Sequence, residues 1–178
     1  MKYVIASDLH GSFYYAKKIK EIFEKEKADL LIMLGDIYNH GPRNNLPEEY
    51  SPMQVAELLN GMTDKLMVIK GNCDSEVDTM ISDFDFIEQG ALIDCGKKIF
   101  LTHGHVYNKD NPPKTSFDCV IYGHFHTGFI ERKDGALFVN AGSLSLPKNG
   151  TEHSYVVIEN GVVTLKNLNG RVIDEQKI

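Results

Sequence analysis

Five short clusters of oxygen- and nitrogen-bearing side chains recur along the chain, each at the end of an apolar run. They are Asp8-Leu9-His10, Gly35-Asp36, Gly71-Asn72, His103-Gly104-His105 and Gly123-His124-Phe125-His126. A ligand set of carboxylate, amide and imidazole groups without a thiolate suits borderline divalent ions such as Mn, Fe, Zn or Ni. There are enough ligands for two ions, and two ions about 3.5–4 Å apart form the binuclear centre that hydrolyses phosphate esters in many enzymes. The clusters therefore predict a binuclear centre for phosphate-ester hydrolysis.

The composition is ordinary for a globular enzyme and narrows the class of substrate. The length of 178 residues predicts one domain, residues 1–178. The net charge of −6 argues against a long polyanionic substrate, so we expect no nucleic-acid partner. No apolar stretch approaches the roughly 18 residues of a membrane span. The odd number of cysteines, at positions 73, 95 and 119, fits a reducing cytosol, so we expect a cytoplasmic protein. Whether the chain forms a homo-oligomer stays open.

The first half of the chain reads as alternating strands and helices. Ser12 is placed to cap a helix whose apolar stripe includes Ala16, Ile19 and Phe23. The predicted elements are a strand over Lys2–Ala6, a helix over Phe13–Lys27, a strand over Ala28–Leu34, a helix over Pro52–Met62 and a strand over Lys65–Lys70. The intervening stretch Ile37–Tyr50, rich in Asn, Gly and Pro, reads as a long functional loop. This order predicts a parallel α/β unit with right-handed crossovers.

The second half reads as strands with little helix between them. The predicted strands are Ala91–Cys95, Lys98–Thr102, Asp118–Gly123, Phe129–Arg132, Ala136–Asn140, Tyr155–Glu159, Val162–Asn167 and Arg171–Gln176. Asp-Gly and Asn-Gly pairs between several of them favour tight hairpins. We therefore expect a second, mainly antiparallel sheet packed on the first, with helices outside. The predicted fold class is α/β, a two-sheet α-β-β-α sandwich.

The order of the motifs D-x-H, GD, GN-x-D, H-G-H and GH-x-H is similar to that of the calcineurin-like metallophosphoesterase superfamily. The stretches GDIYNHGPRN and GNCDSEVD resemble its YfcE branch of small bacterial phosphodiesterases. The resemblance implies that one metal is held by Asp8, His10, Asp36 and His126, and the other by Asp36, Asn72, His103 and His124. Asp36 would then bridge two divalent ions, for which we expect Mn, with Fe, Zn or Ni as alternatives.

Four further residues in these motifs have less certain roles. Cys73 stands where many members of the superfamily carry histidine, so it either lines the site near the leaving group or is a small buried filler. His105 is either a phosphate contact or a structural hydrogen-bonding residue. Arg43 either clamps a phosphate oxygen or forms a surface ion pair. Asp74 is expected to orient a ligand histidine, whereas His40 and His153 read as ordinary loop residues.

The function that this resemblance implies is hydrolysis of a small phosphodiester by a metal-bound hydroxide. Alternatives of the same class are a phosphomonoesterase, a nucleotidase or a nuclease. An alternative of another class is a catalytically inactive scaffold of the same fold, such as the retromer subunit of the superfamily. A third alternative is a metal-dependent binding module without turnover. The complete ligand set argues against the scaffold.

Overall fold

Apolar runs and amphipathic stretches form twelve strands and two α-helices in the computed structural model, which describes residues 1–178. The elements are β1 Lys2–Ala6, α1 Phe13–Glu26, β2 Leu30–Met33, α2 Pro52–Asn60, β3 Leu66–Ile69, β4 Phe86–Ile87, β5 Gly90–Asp94, β6 Lys97–Leu101, β7 Cys119–Tyr122, β8 Phe129–Lys133, β9 Ala136–Asn140, β10 Ser154–Glu159, β11 Val162–Asn167 and β12 Val172–Lys177. Ser12 caps α1 as predicted, its side chain accepting from the Tyr15 backbone N–H. Neither helix is long and apolar enough to span a membrane.

The larger sheet has seven strands in the order β12-β11-β10-β1-β2-β3-β4. Strands β1 to β3 run parallel, as predicted, and the short β4, which was not predicted, continues the parallel order, whereas β10 pairs antiparallel with the other edge of β1. The prediction that the last three strands join the second sheet is therefore wrong. Because β1 lies in the buried interior, its backbone groups need partners on both edges, and β10 satisfies the edge that β2 leaves free.

The smaller sheet has five strands in the order β5-β6-β7-β9-β8. Its three central strands are parallel and only the two outer pairs are antiparallel, so the expectation of a mainly antiparallel sheet is also wrong. The parallel arrangement places the carboxyl ends of β6, β7 and β9 at one edge. This edge carries the H-G-H and GH-x-H motifs.

The two sheets pack face to face, with the helices on the outside of the larger one. Residues such as Ile5, Ile121 and Val139 fill the space between the sheets. Helix α1 and helix α2 cover the opposite face of the larger sheet. The outer face of the smaller sheet is covered by an irregular segment rather than by a helix. Within this cover, the Phe117 ring lies 4.8 Å from that of Phe100 on β6. The predicted two-sheet sandwich is confirmed.

Candidate metal centre

Ends of five parallel strands from both sheets meet at one edge of the sandwich. Asp8 follows β1, Asp36 follows β2, Asn72 follows β3, His103 follows β6 and His124 follows β7. The loops also bond to one another: the His10 N–H donates to the Asp36 carbonyl at 2.8 Å, and the Gly123 N–H donates to the His103 carbonyl at 2.8 Å. Loops at the carboxyl ends of strands are where α/β folds form their sites.

Several of these residues adopt backbone conformations that side chains other than glycine rarely take. The left-handed φ values are 56° at Asp8, 52° at His10, 54° at Asp36, 66° at His124 and 58° at His126. Such residues cost free energy and persist where the surrounding structure holds them, commonly at functional sites. Five of the eleven non-glycine residues with positive φ are therefore predicted ligands.

Three histidines are oriented by backbone carbonyls. The Nδ1 atoms of His10, His103 and His126 lie 2.7, 2.7 and 2.6 Å from the carbonyl oxygens of Asn39, Leu34 and Leu146. A carbonyl only accepts, so each Nδ1 carries the proton and each Nε2 keeps a lone pair. These Nε2 atoms point into the site.

The first group of candidate ligands comes from the loops after β1 and β7. The Nε2 atoms of His10 and His126 lie 3.1 Å apart, and Nε2 of His126 lies 3.2 Å from Oδ1 of Asp8. Two lone pairs facing each other at this distance repel unless a cation lies between them. Oδ1 of Asp8 is also buried and accepts no hydrogen bond. A divalent ion held by these three side chains would satisfy all these atoms, so the residues present fit a metal.

The second group of candidate ligands adjoins the first through Asp36. Nε2 of His103 lies 3.1 Å from Oδ1 of Asn72 and 3.5 Å from Oδ1 of Asp36. The other oxygen of Asp36, Oδ2, lies 3.8 Å from Nε2 of His10. His124 approaches through Nδ1, which is 3.3 Å from Nε2 of His103. The Asp36 carboxylate therefore lies between the two groups, with one oxygen toward each.

The electrostatics of Asp8 and His124 favour the protonation states that metal ligands need. Burial by itself would raise the pKa of Asp8, but the surrounding imidazole rings of His10, His126 and His103 hold it well below its usual range. Burial and the neighbouring His103 lower the pKa of His124 to about 4, so this ring is neutral at pH 7. Asp8 is thus ionised and His124 keeps a free lone pair.

Asp74 has a different role from the one expected. It does not bond to a histidine: its buried carboxylate accepts the backbone N–H groups of Asp36 and Ile37 at 2.8 Å and of Gly71 at 2.7 Å. Burial raises the pKa of Asp74 to about 6. The ligand histidines are oriented by carbonyls instead, and Asp74 joins the backbones of the loops that carry Asp36 and Asn72.

An open cleft of about 740 Å³ lies over the candidate ligands. Arg43 and Cys73 both line it, and Arg43 forms no ion pair within 4.0 Å, so the surface ion pair considered for Arg43 is wrong. Sγ of Cys73 accepts from Nδ2 of Asn72 at 3.2 Å, while burial and then the Asp36 carboxylate raise the pKa of the thiol to about 12. The exposed His105 lies outside the cleft lining, with its ring 5.4 Å from that of His103.

Lys148 and Phe125 are among the cleft residues that were given no role from the sequence. Lys148 lies in the loop after β9, and Phe125 lies between two predicted ligands with 45% of its surface exposed. The sequence carries no local signal for Lys148, because its position follows from the parallel direction of β9, whose carboxyl end faces the same edge. His153, by contrast, is a structural residue: its ring stacks on that of Tyr15 at 4.6 Å.

Comparison with known proteins agrees with this geometry. The sequence profile of the calcineurin-like phosphoesterase superfamily domain matches residues 1–161. Phosphodiesterase YfcE of Escherichia coli is 41% identical over 179 residues, which cover 99% of this chain and 97% of the relative. The probable metallophosphoesterase YsnB of Bacillus subtilis is 27% identical, covering 93% and 89%.

Solved structures give the same result for the fold. The structure of YfcE, a phosphoesterase from E. coli, matches with a TM-score of 0.96 and 38% identity over 100% of both chains. Vps29 of Chaetomium thermophilum shares the fold with a TM-score of 0.67 at 15% identity, covering 100% of this chain and 97% of the other. The chain belongs to the calcineurin-like phosphoesterase superfamily.

Proposed function

We propose that the chain is a metal-dependent phosphodiesterase that hydrolyses small phosphodiesters at a binuclear centre. The observation that carries the proposal is the approach of the Nε2 atoms of His10 and His126. Their lone pairs face each other across 3.1 Å, beside the unpartnered Oδ1 of Asp8. Two divalent cations, when bound, neutralise the phosphate oxygens and lower the pKa of water toward neutrality. The relatives support a diester as substrate, because YfcE is named a phosphodiesterase.

The side chains divide into two ligand groups with one shared member. Asp8, His10 and His126 form the first group, and Asn72, His103 and His124 form the second. Asp36 lies between them, and we propose that it bridges. The backbone N–H of Cys73 donates to Oδ1 of Asp36 at 2.8 Å and orients the carboxylate. Mn is the proposed metal, because oxygen and imidazole ligands without thiolate suit it.

The remaining proposed roles concern the substrate and the leaving group. Arg43 has five N–H donors free to contact phosphate oxygens from the cleft wall. Cys73 lines the cleft near the leaving group, but a thiol is a weak hydrogen-bond donor. We therefore propose that the enzyme prefers esters whose leaving group departs without protonation. His105 is the second candidate for assisting departure.

The test is an activity panel on metal-stripped protein refilled separately with Mn, Fe, Zn or Ni. The panel contains bis-p-nitrophenyl phosphate, p-nitrophenyl phosphate, nucleotides and single-stranded DNA. We expect activity on the diester that chelation abolishes and Mn restores best. Undiminished hydrolysis by metal-stripped protein would overturn the mechanism. Preference for the monoester or for DNA would replace the proposed substrate class, and a fully metallated protein without turnover would indicate a binding module or scaffold.

Cytoplasmic location is proposed from the free cysteines.

A further inference from the structure

Two histidines of the metal centre also hold the loops that form the cleft walls. Nδ1 of His10 donates to the carbonyl of Asn39, in the loop between β2 and α2, at 2.7 Å. Nδ1 of His126 donates to the carbonyl of Leu146, in the loop between β9 and β10, at 2.6 Å. Because the Nε2 atoms of the same rings are 3.1 Å apart, the two loops are fixed on either side of one point in the site.

Each of these loops presents one cation to the cleft. Arg43 comes from the first loop and Lys148 from the second; both are exposed and both line the cleft. Neither lies within 4.0 Å of a carboxylate, although the chain has 25 acidic residues against 19 basic ones. The two loops therefore place two positive charges without carboxylate partners at the cleft of an acidic protein.

With two divalent ions bound, the positive charge of the cleft would exceed what a simple diester can balance. The carboxylates of Asp8 and Asp36 would offset only part of the charge of the two ions, and Arg43 and Lys148 would add to the excess. A phosphodiester group carries a single negative charge. We infer that the preferred substrate is a phosphodiester that carries a second phosphate group, which Arg43 and Lys148 bind. This inference rests on the proposed function and names the substrate class of the same site.

The test compares two substrates that differ only in the second phosphate. The first is the p-nitrophenyl ester of thymidine 5′-monophosphate, and the second is the same ester with a phosphate on the 3′-oxygen. Charge-assisted hydrogen bonds to the added phosphate should raise kcat/KM by about 10- to 100-fold. Arg43→Ala and Lys148→Ala should each reduce this ratio at least about threefold, and the double variant should bring it close to one. Lys20→Ala removes an exposed, unpaired cation from α1, outside the cleft, and should leave the ratio unchanged.

A binding measurement separates this inference from the proposed function. Calorimetry on Mn-loaded protein should give a lower Kd for thymidine 3′,5′-bisphosphate than for thymidine 5′-monophosphate, and Arg43→Ala should reduce the difference. Equal kcat/KM values for the two esters together with equal Kd values for the two nucleotides would overturn the inference. A preference that survives in the double variant would overturn it as well. If neither ester is hydrolysed but the Arg43-dependent Kd difference is found, the second phosphate site stands and the proposed function fails.

Discussion

Substituting Gly71 by alanine tests the position of the proposed bridging carboxylate without changing any ligand. A Cβ atom on residue 71 would lie 3.0 Å from Cγ of Asp36 and still closer to its Oδ1 and backbone N. The carboxylate cannot simply tilt away, because Oδ1 is held by the Cys73 N–H at 2.8 Å. The Asp36 backbone is likewise held by the Asp74 carboxylate at 2.8 Å. The loop that carries residue 71 and the loop that carries Asp36 must therefore move apart.

The expected effect on catalysis is larger than the effect on stability. Relief of the overlap needs a shift of roughly 1 Å, and a misplacement of that size costs about 10²-fold in rate. Overpacking typically costs about 1–3 kcal/mol, which lowers Tm by roughly 2–12 °C in a chain of this size. We expect Gly71→Ala to fold, to bind the second metal weakly and to lose about 99% of kcat with Mn present.

The assay combines metal analysis, thermal unfolding in chelator and hydrolysis of bis-p-nitrophenyl phosphate. The matched control is Gly61→Ala at the end of α2, where a Cβ atom meets nothing closer than 3.4 Å. This control should retain wild-type metal content and rate. A Gly71→Ala protein that binds two ions and keeps kcat within about threefold of wild type would refute the placement of Asp36 between the two ligand groups.

Three further predictions follow from single side chains. Asp36→Asn should be the most damaging ligand change, with loss of tight binding of both ions in metal analysis; two retained ions with near-normal turnover would contradict the bridge. Cys73→His should accelerate hydrolysis of esters with poor leaving groups by up to about 10²–10⁴-fold, because imidazole can protonate the departing oxygen, and should accelerate hydrolysis of nitrophenyl esters little. If the rate depends equally steeply on leaving-group acidity in both proteins at matched metal content, residue 73 takes no part in proton transfer. Hydrogen bonds and ion pairs with Lys166 and Lys2 outweigh burial and lower the pKa of Glu26 to about 2, from 4.5. The stabilisation of the fold by the ionised Glu26 carboxylate is therefore complete above pH 4.5 and is lost as the pH falls toward 2. Glu26→Gln should lower the free energy of unfolding by about 1–2 kcal/mol at pH 7, allowing for solvent screening, and should change it little at pH 2. Denaturant unfolding that shows the same difference at both pH values would contradict this.

Local patterns in the sequence predicted the elements and the meeting of the motifs. Strand β1 has the predicted bounds, Lys2–Ala6, and α1 ends within one residue of the expected Lys27. The motifs were predictable because each follows an apolar strand, and parallel strands bring their carboxyl ends together. The roles of the individual ligands stay predictions.

What the sequence did not reveal depends on contacts between distant segments. The hairpin pattern of β10 and β11 shows that they pair with each other, but not that β10 also joins β1. Strand β4 has only two residues, too few for a periodic signal. The role of Asp74 depends on backbone N–H groups up to 38 positions away. Lys148 lies in a loop without a motif, and only the fold places it at the cleft.

The measurement that tests the central claim most directly is a stepwise titration of metal-stripped protein with Mn²⁺. Bound metal per chain and the rate of bis-p-nitrophenyl phosphate hydrolysis are followed in the same samples. A binuclear centre built on Asp36 predicts that both quantities saturate at two ions per chain and that chelator returns the rate to background. A maximal rate at one ion per chain, or a rate that persists without bound metal, would contradict it.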